Sequence, residues 1–282
     1  MYINKYKLAA VMISIPISLI AILSVYKLYR RSEYKNERNL ALERFKSSIY
    51  RNDMYGVSIP YRIFKPDGYD KTKKYPLVLY LHGGAALGDD NIKQLEAGPT
   101  WWSSKKMQSR YPCFILAPQC PKGHKWTNKP GFAAPFKNYD QDKYPESDIM
   151  KSLVDLVEDT CKKYKIDKNR VYATGYSMGA TGVWEMITRH PTYFAAAVVV
   201  SGENDPSKST SIRNMPIWVF HGARDDVAPV ENSQEMVRAI RNEGGKKIKF
   251  TEYFFYGHTI AGTVYRNENI ASWLFKQKKE MP

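Results

Sequence analysis

Cysteine is scarce, with three in 282 residues. An odd count always leaves one thiol over, so no disulfide framework holds this chain together. Cys113 and Cys120 flank an apolar run. If that run is extended they lie roughly 20 Å apart, beyond the reach of a disulfide. There is no C-x-x-C pair, so a structural zinc site has no support. No G-K-[ST] closes a glycine-rich segment, which removes a phosphate-cradling loop. Hydrophobic residues make up 43% and charged residues 25%. Those shares are close to a globular average and exclude disorder for the bulk of the chain.

Acidic residues are outnumbered: 43 Lys and Arg against 28 Asp and Glu leave a net charge of +15. A nucleic-acid partner requires such charge to cluster. Here lysines recur at 71–74, 105–106, 162–168, 246–249 and 276–279, mostly between apolar segments. No nucleic-acid partner is expected, and the reading is a solvated basic surface, facing water or anionic lipid.

Only one long apolar run occurs, LAAVMISIPISLIAILSVY at 8–26, with Lys5 and Lys7 before it and Lys27, Arg30 and Arg31 after it. As a helix, about 19 residues at 1.5 Å each span roughly 28 Å, close to a bilayer core. Pro16 would kink such a helix without forbidding it. A cleaved signal peptide competes, but its apolar core is usually shorter and ends at a small-x-small site. The expectation is an N-terminal transmembrane or signal helix in residues 1–30, a charged linker over 31–52 and one folded domain over 53–282. The cations after the span favour a cytoplasmic domain, whereas the basic start of a signal anchor favours an extracytoplasmic one. The expectation taken is membrane attachment through 8–26, with the domain at the periplasmic or cell surface.

From about residue 55 the pattern is strand then helix, repeated. Strands are expected at Val57–Phe64, Tyr75–Leu81, Cys113–Ala117, Arg170–Thr174, Ala195–Val200, Ile217–Phe220 and Lys249–Phe255. Helices are expected at Ile149–Tyr164, Gly179–Arg189, Glu231–Asn242 and Glu268–Lys276. Near-continuous apolar strands alternating with helices imply an α/β fold, with a mostly parallel sheet covered on both faces. In such sheets chemistry gathers where strands end.

After the strand at 170–174 stands Gly175-Tyr176-Ser177-Met178-Gly179. Alone, G-x-S-x-G is a weak signal; between a strand and a helix it marks a sharp turn that lifts a serine hydroxyl above the sheet. A serine needs a base to take its proton. Of five histidines, His82 and His221 end strands in structural positions, His190 caps a helix, and His124 lies in a lysine-rich loop. His258 follows the last strand and is the expected base. The orienting carboxylate is Asp225 or Asp226, after the strand at 217–220, with Asp205 as an outside candidate. The chain order serine, acid, histidine is that of α/β-hydrolases. One oxyanion donor is expected from the backbone N–H of Met178 and another from Gly84 or Ala85, in the glycine-containing loop after Tyr75–Leu81.

These segments carry a resemblance. From about Tyr61 to Lys276 the chain resembles the carboxylesterase and predicted-peptidase branch of the α/β-hydrolases, related to polyhydroxybutyrate depolymerases, feruloyl esterases and dienelactone hydrolases. The carriers are Tyr75-Pro-Leu-Val-Leu-Tyr-Leu-His82-Gly83, Gly88-Asp89-Asp90-Asn91, Ala117-Pro-Gln-Cys-Pro121 with Trp126, Ile166-Asp-Lys-Asn-Arg-Val-Tyr172, Gly175–Gly179 with Trp184, His221-Gly222…Asp225…Pro229, and Gly257-His258. The resemblance implies the α/β-hydrolase fold, with Ser177 as nucleophile, Asp225 as acid and His258 as base. It further implies a serine carboxylesterase acting on a small-molecule ester, with no metal or organic cofactor; the alternatives are a serine peptidase or amidase on short peptides and a catalytically silent anchored binding protein. Gly84-Ala85-Ala86-Leu87 and Thr259 with Ala261 depart from the family pattern on the leaving-group side. Residues 202–216 are too few for a helical cap, so an open pocket is expected, walled by the loop from Gln119 to Asp148. Trp126, Trp101, Trp102 and Tyr176 are assigned to substrate binding, with Phe132 and Phe136 in the same loop. Such a pocket favours short-chain or aryl-acyl esters over long-chain lipids.

Overall fold

The computed structural model describes residues 35–129 and 139–279, with isolated positions 21, 22, 24, 25, 28 and 32. The apolar run 8–26 lies outside the described residues apart from four of these positions, and so do Phe132 and Phe136. Among the described residues no helix is long and apolar enough to cross a membrane. The chain divides into two units, Met1–Leu40 and Ala41–Pro282.

The second unit is built on an eight-stranded sheet. Its strands are β1 (Phe45–Asn52), β2 (Val57–Phe64), β3 (Tyr75–Leu81), β4 (Phe114–Pro118), β5 (Ile166–Tyr176), β6 (Ala196–Val200), β7 (Ile217–Gly222) and β8 (Ile248–Tyr253). The spatial order is β1-β2-β4-β3-β5-β6-β7-β8. β1, β2 and β4 pair antiparallel, and every pair from β4 to β8 is parallel. Every residue of β3, β4 and β6 is buried, as strands covered on both faces require.

The two-residue period of a strand divides β3 between two cores. Leu77, Leu79 and Leu81 face a cluster with Leu153, Val183 and Ile240, from α3 (Asp148–Lys163), α4 (Met178–Arg189) and α6 (Val230–Asn242). Val78 and Tyr80 face the other cluster, with Trp102 of α1 (Ala97–Trp102) and Met107 of α2 (Lys105–Arg110). Tyr265 of α7 (Ala261–Tyr265) and Leu274 of α8 (Glu268–Leu274) complete that side. Each fully buried Leu or Val contributes about 1.5–3 kcal/mol. The helix α3 begins where its sequence signals a start: the Ser147 hydroxyl accepts the N–H of Met150. The three cysteines are free and buried.

One expectation is corrected and one holds. The linker expected over 31–52 contains β1, which pairs along its whole length with β2, so the sheet starts before residue 53. Its sequence, FKSSIYRN, is polar enough to read as a linker, because an edge strand needs few apolar residues. The segment between β6 and β7 holds only a one-turn 3₁₀ helix, Pro206–Lys208, and α5 (Ser209–Ile212). It forms no cap over the carboxyl ends of the strands.

Candidate active site

Ser177 sits between β5 and α4 with φ 55° and ψ −121°, a conformation that costs a non-glycine residue on the order of 1–3 kcal/mol. The turn closes only because its flanks lack side chains. A Cβ on Gly175 would lie 2.3 Å from the carbonyl oxygen of Gly179, and one on Gly179 would lie 2.0 Å from that of Leu81. Ser177 N–H donates to Val200 O at 2.9 Å, and Thr181 N–H donates to Ser177 O at 3.1 Å, which tie the turn to β6 and to the helix.

Ser177 Oγ lies 2.8 Å from His258 Nε2, and His258 Nδ1 lies 2.8 Å from Asp225 Oδ2. These residues follow β5, β8 and β7, so sheet order brings together positions 81 and 33 residues apart in the chain. Tyr176 packs its ring against His258, 5.3 Å between centroids, and donates its hydroxyl to His258 O at 3.2 Å. Burial pushes the Tyr176 phenol up to about 12.

Asp225 is the carboxylate that faces the imidazole. Its side chain is wholly buried, whereas Asp226 is exposed. Asp205 instead accepts the N–H groups of Ser207 and Gln141 and starts the 3₁₀ turn. Asp225 Oδ1 accepts from Val227 N–H at 3.0 Å and Ala228 N–H at 2.8 Å. Its Oδ2 also lies 3.1 Å from His221 Nε2. Burial alone would raise the pKa of Asp225; hydrogen bonds from His221, His258 and Ala228 outweigh it and hold the carboxyl well below the usual range. His221 Nε2 also faces Ala228 O at 2.7 Å, so that nitrogen carries the proton, and Nδ1 accepts the hydroxyl of Ser233 at 2.7 Å. The sequence reading missed this support. The spacing of His221 and Asp225, four residues on one strand-exit turn, was its only local signal.

The loop after β3 faces the same space. Gly84–Ala86 is a one-turn 3₁₀ helix in which Ala86 N–H is the first to bond within the turn. The N–H groups of Gly84 and Ala85 therefore precede the bonded ones, as Met178 N–H does at the start of α4. His82 anchors this loop from below. Its Nε2 accepts Cys120 N–H at 2.9 Å, its Nδ1 lies 2.7 Å from Gly83 O, and its carbonyl accepts Trp126 Nε1–H at 3.1 Å. Burial lowers the His82 pKa to about 4, so the ring stays neutral. Gly83 N–H donates to Glu96, which also accepts the Tyr80 hydroxyl.

A cavity of about 360 Å³ opens at these groups. Gly84, Ala85, Tyr176, Ser177, Met178 and His258 line one side. Lys125, Thr127, Lys129, Thr181 and Glu203 line another. Lys129 Nζ meets Glu203 at 2.5 Å, with only 8% of the glutamate side chain exposed. Burial raises the Glu203 pKa, while the two lysines oppose the rise. This pair was not foreseen, because a lysine-rich loop reads as solvated surface.

The tryptophan assignments are corrected. Trp126 is fully buried, spends its N–H on His82 and packs its edge on the His82 ring. Trp102 is 1% exposed and meets Tyr265 edge-on. Trp101 packs on the second core, with Lys106 near its ring. None of the three lines the cavity, because large apolar rings gain more by completing the core than by lining an open site. Among the described residues no group of three or more His, Cys, Asp or Glu converges to hold a metal.

Residues 53–251 match the family described as "Putative esterase". The crystal structure of a thermostable esterase superimposes with a TM-score of 0.77 at 34% identity, covering 85% of this chain and 64% of that one. "Probable feruloyl esterase C" of Aspergillus terreus is 25% identical over 189 residues, 64% of this chain and 60% of the relative. A bifunctional acetylxylan esterase/xylanase of Neocallimastix patriciarum is 30% identical over 88 residues, 31% of this chain and 13% of the relative. The chain thus spans less than two thirds of each of these proteins. With its eight-stranded sheet and the family match over most of its length, the chain belongs to this esterase family of the α/β-hydrolase superfamily.

Proposed function

We propose that this protein is a serine carboxylic ester hydrolase acting on short acyl esters. The observation that carries the reading is the continuous array from Ser177 Oγ through His258 to Asp225, with 2.8 Å at each step. In the proposed cycle His258 Nε2 takes the serine proton as Oγ attacks the ester carbonyl. The oxyanion is met by Met178 N–H and by Gly84 or Ala85 N–H. His258 then returns the proton to the departing alcohol, and a water repeats the sequence on the acyl-enzyme. Asp225 keeps the proton on Nδ1 of His258, so that Nε2 faces Ser177 as an acceptor.

The cavity supports a small acyl group. Its volume is about 360 Å³, and among the described lining residues Tyr176 is the one phenyl-type aromatic. A long chain would need an apolar tunnel to bury each CH₂ at about 0.8 kcal/mol. The relatives named as feruloyl and acetylxylan esterases make aryl-acyl and acetyl esters the compounds to try first. The test is a panel of p-nitrophenyl esters and aminoacyl p-nitroanilides. The reading expects kcat/KM for acetate or butyrate at least tenfold above palmitate, and loss of all turnover in Ser177→Ala. Preference for palmitate would indicate a lipase, and preference for the anilides a peptidase.

We also propose that residues 8–26 anchor the protein in a membrane, with the catalytic unit outside the cytoplasm. The length and apolarity of the run support this. The full chain should resist alkaline extraction from membranes and be digested by protease added to intact cells. A mature form beginning near residue 25 would instead mean a cleaved signal.

A further inference from the structure

The cations dispersed along the sequence converge in space. Each parallel strand runs from one edge of the sheet to the edge that carries Ser177, and the chain enters these strands through basic segments. Lys74 precedes β3, Arg110 precedes β4, Lys168 lies at the start of β5, Arg213 precedes β7 and Lys247 precedes β8; all five are exposed. Tyr75 pairs with Ile166 but Leu77 pairs with Val171, so residues 167–170 bulge out at this edge.

Two cavities open here. One, of about 330 Å³, is lined by Lys73, Lys74, Arg110, Arg170 and Lys276, and by no carboxylate among the described residues. The other, of about 580 Å³, is lined by Arg213, Lys247, Lys278 and Lys279, again with no carboxylate among the described residues. Asp70, Asp167 and Glu268 offset Lys73, Arg170 and Arg110 from outside the first. At the opposite edge the lining of the catalytic cavity mixes two lysines with two glutamates, and Lys129 pairs with Glu203.

We infer that the amino edge of the sheet is a docking face for an anionic phospholipid bilayer. From β4 to β8 the face spans five strand spacings, about 24 Å. A broad lawn of charge of that width fits a planar charged surface. A nucleic-acid duplex would call for a groove-entering element among these cations, and the face is made of strand-entry turns and a C-terminal tail. Docking this way leaves the catalytic cavity open to water. The strands hold it roughly 15–20 Å away, about two screening lengths at physiological salt, so docking and turnover are independent.

The test is a lysine-acylation footprint of the full chain, read by mass spectrometry, in vesicles of phosphatidylcholine alone and with one third phosphatidylglycerol. A footprint works whether or not residues 8–26 insert. Acylation of Lys74, Lys168, Lys247 and Lys278 should slow at least fivefold in the anionic vesicles and recover at 0.5 M salt. Lys93 and Lys122, on loops that follow β3 and β4, should change less than twofold. A variant with Lys74, Lys168, Lys247 and Lys278 all replaced by Gln should lose the protection of Lys73 yet hydrolyse p-nitrophenyl acetate at the wild-type rate. Equal protection of both sets, or none, would overturn the inference. Stronger protection by added duplex DNA than by anionic vesicles would replace the bilayer with nucleic acid.

Discussion

Replacing Asp225 with Asn changes one atom, and the surroundings dictate the consequence. Oδ1 accepts two backbone N–H groups, those of Val227 and Ala228. An asparagine must keep its carbonyl oxygen there, or leave two donors unpaired, the buried one of Ala228 at about 1–3 kcal/mol. Its NH₂ then faces His258 Nδ1 and His221 Nε2. His221 retains Ala228 O as an acceptor at 2.7 Å. His258 has no such alternative and moves its proton to Nε2. That nitrogen then donates toward Ser177 Oγ and takes no proton from it. A tautomer inversion of this kind in a serine triad lowers kcat by roughly 10⁴, equivalent to about 5 kcal/mol of barrier. Initial rates on p-nitrophenyl acetate, with circular dichroism to check folding, measure it. Asp226→Asn, at an exposed neighbour, should stay within twofold. Retention of more than about a tenth of the activity in Asp225→Asn, or an equal loss in Asp226→Asn, would refute the assignment. The same carboxylate affects stability with acid. Its folded pKa lies below the unfolded value, so its contribution is present above about pH 4 and is lost as pH falls further. The Asn variant should lose less stability than wild type over that acid range.

Other expectations follow from single positions. His82 has a folded pKa of about 4 against about 6.5 unfolded, so the unfolded chain takes the proton first; stability should fall by about 3 kcal/mol from pH 6.5 to pH 4, read from urea midpoints, and His82→Gln should flatten that slope. Gly179→Ala drives a Cβ to 2.0 Å from a backbone oxygen, whereas Gly84→Ala meets nothing within 4 Å; the first should lower the melting temperature by about 10 °C and the second by less than about 3 °C. Lys129→Met strands the buried carboxylate of Glu203 and should cost about 2–3 kcal/mol of stability, partly restored by adding Glu203→Gln.

The sheet was legible where strands are buried on both faces. Tyr75–Leu81 falls at the expected residues, because a short apolar run between turn signals has few other interpretations; Val57–Phe64, only partly buried, falls there because its residues alternate as a strand's do. Phe45–Asn52 was not legible, since its partner β2 supplies the order that its own sequence does not specify. Ser177, Asp225 and His258 stood out because each follows a strand and each carries chemistry that a turn does not need. What surrounds them was hidden by distance in the chain. His221 joins Asp225 and Ser233 across twelve residues, and Lys129 meets Glu203 across 74. The tryptophans misled because residue type alone does not say whether a ring faces the core or the cavity. The basic edge went unseen for the same reason, since its cations are dispersed along the sequence and gather only when parallel strands align their starts.

Covalent capture of the nucleophile tests the central claim most directly. The protein is treated with a fluorophosphonate, and adduct mass, adduct position and residual ester hydrolysis are followed together. The account predicts one adduct per chain, on Ser177, with activity falling in proportion to labelling and no adduct in Ser177→Ala. An adduct on another residue, or full ester hydrolysis by the completely labelled protein, would contradict it.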